Sequence, residues 1–347
     1  MLRNLGGIGD QRLFNQCFTG TKVLIEEYNQ EVSDQLVNIC ENEYPGLTNS
    51  QKLDLFNETR QSFGHTALLL EGGATFGLCH LGVVKALWQK RLLPRIICGS
   101  SVGALIAALV CIHNDDELPS IFLPGGIDLR AFTNKGQKGS ITRKISRFLK
   151  HGYLMDVKVI EDCVRSNLGD ITFEEAFQKT HKVLNITVSS SRKDEVPRLL
   201  NYLTAPNVLI RSAACASVSA IGLYRFDDLL AKDQNGYIFV WNPSTVKWST
   251  AYQKVESPEK RISELFNVNH FILSQASPYI APFVASNKFK NDSEAFSGKL
   301  FNFITSEVKH RVNQSSELGI VPGSVQSLFG QKSQGHVTIA PQLSSKV

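Results

Sequence analysis

Twice within residues 66–111 the sequence runs from a short apolar stretch through a glycine turn into an apolar helix pattern. Thr66-Ala67-Leu68-Leu69-Leu70 leads to Gly72-Gly73, with helically spaced apolar residues over 78–88 behind it. Arg95-Ile96-Ile97-Cys98 then leads at once into Gly99-Ser100-Ser101-Val102-Gly103 and a second apolar helix. Strand–turn–helix repeated at this interval predicts a parallel sheet, because parallel neighbours need a crossover that a helix supplies. The apolar runs at 183–189 and 270–274 offer further strands. The fold expected is α/β, a mostly parallel sheet flanked by helices.

Around that centre, residues 1–64 read as a helical N-terminal region. Apolar residues recur at helical intervals over 21–40, and a second helix is expected from Ser50 to Phe63, capped by Asn49 or Ser50. The region has too few apolar residues for a core of its own. Residues 65–284 carry the α/β pattern, and 285–347 read as a polar C-terminal extension with one amphipathic helix near 300–312. Of the 347 residues 42% are hydrophobic and 20% charged, which is a globular composition. Lys plus Arg (37) less Asp plus Glu (32) leaves +5, which permits an anionic membrane surface without calling for nucleic acid. The first residues lack a signal-peptide apolar core, and the longest apolar run, 102–112, is well short of the ~20 residues that span a bilayer. Seven cysteines form no CxxC pair, so reduced thiols inside a cell are expected rather than disulfides or structural zinc.

Gly99-x-Ser101-x-Gly103 fits a nucleophile elbow, a sharp turn that lifts a serine to the apex between strand and helix. The flanking glycines remove side chains that would collide, and the helix N-terminus favours developing negative charge. Alone, five residues also fit a chance Gly-Ser loop. The preceding strand and the small residues Ala104, Ala107 and Ala108 argue for the elbow. Upstream, residues 72–77 (Gly-Gly-Ala-Thr-Phe-Gly) form a glycine-rich turn able to offer backbone N–H groups to an anion. They do not match Gly-x-Gly-x-x-Gly, so an oxyanion loop is preferred to a dinucleotide site.

Residues 68–77 and 94–103 together resemble a patatin-like phospholipase domain, and within it the intracellular triacylglycerol lipase branch of fungi and plants. Similar stretches run along nearly the whole chain, among them Gly20-Thr21-Lys22-Val23-Leu24, Leu184-Asn185-Ile186-Thr187-Val188 and Phe266-Asn267-Val268-Asn269-His270. Its start falls inside that branch's N-terminal region, so the chain is expected to be shortened there. The resemblance implies a Ser–Asp dyad with Ser101 as nucleophile, and an oxyanion hole lined by Gly72, Gly73, Ala74 and Val102, with Gly99 and Gly103 shaping the elbow. Ala74 stands where a third glycine is common, which is tolerable if its φ is negative, and Phe76 where many members carry a basic residue.

One departure bears on chemistry. The branch's Trp-x-Asp-Gly segment lines up with Trp248-Ser249-Thr250-Ala251, so Thr250 occupies the expected general-base position. Threonine has no accessible basic form, and the chain contains no Asp-Gly or Asp-Ala pair. Asp227, Asp228, Asp233 and Glu256 are conceivable substitutes, each more simply a solvated loop carboxylate.

Other features carry less. Residues 135–150 hold six cations and no acid, with Ile141, Ile145, Phe148 and Leu149 between them, which suits a lipid surface or a solvated helix face equally. His151 and Asp156 spell the His-x₄-Asp of glycerolipid acyltransferases, a pattern short enough to arise by chance, and His80 is read as a packed or surface histidine rather than a triad base.

The resemblance therefore implies a serine lipid acyl hydrolase, a triacylglycerol lipase of lipid-droplet catabolism, without cofactor, metal or nucleic acid. Thr250 opens an alternative, a catalytically impaired lipid-surface binding protein. A phospholipase or lysophospholipid acyltransferase using the same pocket is the third. The partners implied are triacylglycerol or phospholipid and the surface of lipid droplets or endoplasmic reticulum, approached peripherally from the cytoplasm.

Overall fold

Helical spacing near the N-terminus produces two helices, α1 (Val23–Glu41) and α2 (Asn49–Phe63). The computed structural model describes residues 2–9, 13, 22–72, 74–128, 157–188, 198–219, 228–241, 258–276, 307, 311, 314 and 335–340. The cap of α2 is Thr48, not Asn49 or Ser50: its hydroxyl accepts the Gln51 N–H while the Gln51 side chain accepts the Thr48 N–H. Only position 48 has a glutamine three residues on, which completes that reciprocal box. α1 buries no side chain and α2 buries Lys52 alone. Residues 1–65 with 263–270 form one compact unit, and 66–262 with 271–347 form the other.

The second unit holds the sheet. In chain order it contains β1 (His65–Glu71, from Thr66 onward), a 3-10 turn (Ala74–Leu78), α3 (Cys79–Gln89), β2 (Ile96–Ser100) and α4 (Val102–Cys111). After these come α5 (Val157–Leu168), α6 (Phe173–Thr180), β3 (Val183–Val188), β4 (Arg198–Leu200) and α7 (Ile210–Ser219). β5 (Leu230–Lys232), β6 (Ile238–Val240), α8 (Pro258–Phe266, as far as Ile262), β7 (Val268–Gln275, from Phe271 onward) and β8 (Val337–Ile339) complete it. The sheet order is β4-β3-β2-β1-β7-β8. β1, β2 and β3 pair in parallel, as do β7 and β8, and β4 runs antiparallel to β3. The sheet is thus mixed and mostly parallel. Residues 337–339, expected within a polar extension, are one of its strands, because three residues of alternating Val-Thr-Ile suffice to pair an edge.

Leu68 and Leu70 of β1, Ile97 of β2 and Leu184 and Ile186 of β3 join α4 and α7 in one core. α4 lies at its centre, with eight of ten residues buried. Its far end is held by donors from the end of α6 and the α6–β3 connection. Thr180 Oγ1 reaches the Cys111 carbonyl at 2.8 Å, Lys179 Nζ that of Ile112 at 3.1 Å, and Lys182 Nζ that of His113 at 2.8 Å. Cations and hydroxyls there satisfy carbonyls that the helix leaves unpaired and complement its dipole. α4 is thereby fixed at its C-terminus, and its N-terminus meets the end of β2.

Candidate active site

The elbow lies where β2 ends and α4 begins. Ser101 is the N-cap of α4 with φ 56° and ψ −128°. A non-glycine residue held there stores about 1–3 kcal/mol and persists only if its surroundings enforce it. They do so by proximity. A Cβ on Gly99 would lie 2.5 Å from the Ala104 Cα, and one on Gly103 would collide with the Leu70 carbonyl oxygen. Strand and helix thus approach too closely for any side chain at either glycine.

Ser101 is 5% exposed, and its hydroxyl neither caps α4 nor has any hydrogen-bond partner among the described residues. A buried hydroxyl without a partner is a costly arrangement that calls for an explanation. The Ser101 amide, by contrast, is held: it donates to Ser217 Oγ of α7 at 2.9 Å, and Ser217 donates onward to the Thr187 carbonyl of β3 at 2.7 Å.

The glycine-rich turn adjoins this elbow. A Cβ on Gly77 would sit 2.5 Å from Val102 Cγ1, so this glycine lets the turn close against the residue after Ser101. Gly72 adopts φ +56° and its N–H donates to the Ser100 carbonyl at 3.3 Å. Ala74 opens a 3-10 turn, a conformation of negative φ. Val102 is the first residue of α4, where the N–H has no intrahelical acceptor. Phe76 and Leu78 of the turn are 44% and 50% exposed, an apolar rim.

The expected general-base position, Thr250, lies outside the described residues, as do Gly73, Asp227, Glu256, the basic stretch 135–150, and His151 and Asp156. Asp228 is exposed, and Asp233 accepts the N–H groups of Asn235 and Tyr237 in the β5–β6 turn. Neither bonds to Ser101. His80 is 1% exposed, with Nδ1 2.8 Å from Ser274 Oγ of β7. Burial pushes its imidazole down to about 4, partly offset by the backbone of Glu71 and Gly72, so it stands neutral and packed. It borders a cavity of about 400 Å³ shared with Gly82, Val83, Ser274 and Ala276, which Ser101 does not line.

Two residues escaped the sequence reading. Glu71 ends β1 opposite Ser100, with its carboxyl pushed up to about 7 by burial and then by Glu259, against a hydrogen bond from Gln275. A carboxylate just before a glycine turn is a visible signal. Ser217 gave none, since it stands 116 residues from Ser101. Nearby Cys98 is no rival nucleophile, because burial pushes its thiol up to about 12. Among the described residues no group of three or more His, Cys, Asp or Glu side chains could hold a metal, and no helix is long and apolar enough to cross a membrane.

Comparison with known proteins bears on this geometry. Residues 68–245 match the family model described as patatin-like phospholipase, and residues 1–61 match a domain of unknown function (DUF3336). The chain is 40% identical to triacylglycerol lipase SDP1L of Arabidopsis thaliana, over 98% of this chain and 43% of that protein. It is 36% identical to triacylglycerol lipase ptl1 of Schizosaccharomyces pombe, over 99% of this chain and 63% of that one. The chain therefore spans only part of the length of these relatives. Among solved structures, the heterodimeric ExoU–SpcU complex of Pseudomonas aeruginosa aligns with a TM-score of 0.34 at 16% identity, over 61% of this chain and 44% of that one.

Proposed function

The chain belongs to the patatin-like phospholipase family, and from that premise we propose that it is a serine lipid acyl hydrolase directed at triacylglycerol. The observation that carries the proposal is Ser101: a strained, buried serine whose hydroxyl has no partner among the described residues, at a helix N-terminus beside a glycine-rich turn. In the reaction, the Ser101 hydroxyl attacks an ester carbonyl and gives up its proton. The carbonyl oxygen, now negative, receives N–H groups from Val102 and the 73–74 segment and the favourable end of the α4 dipole. Collapse breaks the ester C–O bond, the leaving oxygen takes up the proton that Ser101 gave and departs as the alcohol, and the acyl-serine left behind is then cleaved by water.

The proton needs an acceptor. Thr250 standing at the family's aspartate position supports a second reading, in which the chain binds lipid and turns it over poorly. Loss of a general base removes about 10²–10⁴-fold in rate.

The site of action in this proposal is a lipid–water interface, the surface of a lipid droplet or the endoplasmic reticulum. Tyr237, Ile238, Phe239 and Val240 form a run on the β5–β6 hairpin with exposures from 43% to 73%, which suits shallow insertion into lipid. The test is a triolein assay on purified wild type and Ser101→Ala, alongside labelling by a long-chain alkyl fluorophosphonate read by mass spectrometry. The expected result is slow turnover and slow labelling, both confined to Ser101. Labelling elsewhere, or hydrolysis that survives Ser101→Ala, would overturn the assignment.

A further inference from the structure

We propose that Ser217 is a positioning residue for Ser101, holding the elbow in its strained conformation through the backbone; this rests on the reading of Ser101 as nucleophile. The hydroxyl of a serine has one proton and two acceptor lone pairs. Ser217 uses both capacities: it accepts the Ser101 N–H at 2.9 Å and donates to the Thr187 carbonyl at 2.7 Å. One side chain thereby ties α7, the end of β3 and the turn between β2 and α4. Ser101 and Ser217 are 5% and 3% exposed, so water does not substitute for either bond.

The direction of the bond gives it its consequence. φ of Ser101 sets the angle between its N–H and the chain entering α4, and at 56° the N–H meets Ser217. Relaxation to an ordinary negative φ would relieve strain, but would turn the N–H and the chain entering α4 relative to one another, at the expense of the Ser217 bond. It would also rotate the following peptide, and with it the Val102 N–H that the oxyanion needs. Gly99 and Gly103 make room for the turn, and Ser217 selects this conformer within that room. Ser217 touches no reacting atom, and its action is exerted through the Ser101 backbone.

The experiment compares wild type with Ser217→Ala, Ser217→Val and Ser217→Thr in the full chain. Val and Thr share a shape and differ in the hydroxyl, and Ala covers the case in which the added methyl does not fit. Two readouts are taken, hydrogen exchange at the Ser101 amide and the rate of Ser101 labelling by the alkyl fluorophosphonate. The expected result is that Ala and Val lose protection at the Ser101 amide and label about a hundredfold more slowly, the scale of a misplacement of about 1 Å. Ser217→Thr should keep both properties, a rescue that general loosening of the core would not produce. Unchanged exchange at Ser101 in Ala and Val would overturn the proposal, as would unchanged labelling despite lost protection. If wild type does not label at all while exchange behaves as expected, the nucleophile reading fails and the backbone anchor stands.

Discussion

Crowding around Ser101 is local, and single substitutions separate its causes. Gly103→Ala places a methyl against the Leu70 carbonyl and should destabilise the protein by about 1–3 kcal/mol, as overpacking does. Gly82→Ala in α3 meets nothing within 4 Å and should stabilise by about 0.5–1 kcal/mol through helix propensity. Urea unfolding of the two variants measures this difference in sign. Titration separates Glu71 from His80 in the same way. Glu71 has its folded pKa raised from 4.5 to about 7, so its stabilising contribution is full below 4.5 and is lost as pH rises to about 7. His80 has its folded pKa lowered from 6.5 to about 4, so its contribution is present above 6.5 and is lost as pH falls to about 4. The two slopes oppose each other between about 4.5 and 6.5. Glu71→Gln should therefore leave stability rising with pH through that window, while His80→Phe should leave it falling. Unfolding midpoints at four or five pH values decide the matter, and two parallel curves would refute it.

At the scale of elements, the β5–β6 hairpin offers the clearest separation of binding from folding. Asp233 closes its turn by accepting two backbone N–H groups, and β6 leaves all three residues exposed. Exposed positions tolerate polar replacement within about 0.5 kcal/mol. Ile238→Asp with Phe239→Asp should thus fold like wild type, yet float less with triolein emulsions or phospholipid-coated droplets. Equal flotation would remove the hairpin from the lipid-binding surface. α4 behaves differently, being buried nearly throughout and held at its last carbonyls by Thr180, Lys179 and Lys182. Lys182→Met leaves the His113 carbonyl and Asp115 without their cation and should cost about 1–3 kcal/mol, read as a lowered unfolding midpoint.

For the molecule as a whole, the proposed turnover depends on a proton acceptor reaching Ser101. Thr250→Asp with Ala251→Gly should raise triolein hydrolysis by up to about 10²–10⁴-fold over wild type, with Ser101→Ala abolishing the gain. Robust wild-type turnover would instead mean that another carboxylate already serves. The sequence by itself determined the parts that repeat locally. β1 and β2 are short apolar runs because both faces of a parallel sheet are covered, and Gly99, Ser101 and Gly103 carry their geometry within five residues. The cap of α2 was misplaced by one or two positions, since Thr48, Asn49 and Ser50 are all good caps and only the Gln51 partner chooses among them. Tertiary structure alone decided what depends on contacts across the chain. It gave the Gly72 N–H to Ser100 and made residues 337–339 a strand of the sheet. It also set the half-buried Glu71 beside Gln275 and Ser217 against the Ser101 amide. Local patterns encode which conformations a segment can adopt, whereas the partner of a buried donor is fixed only when distant segments pack together.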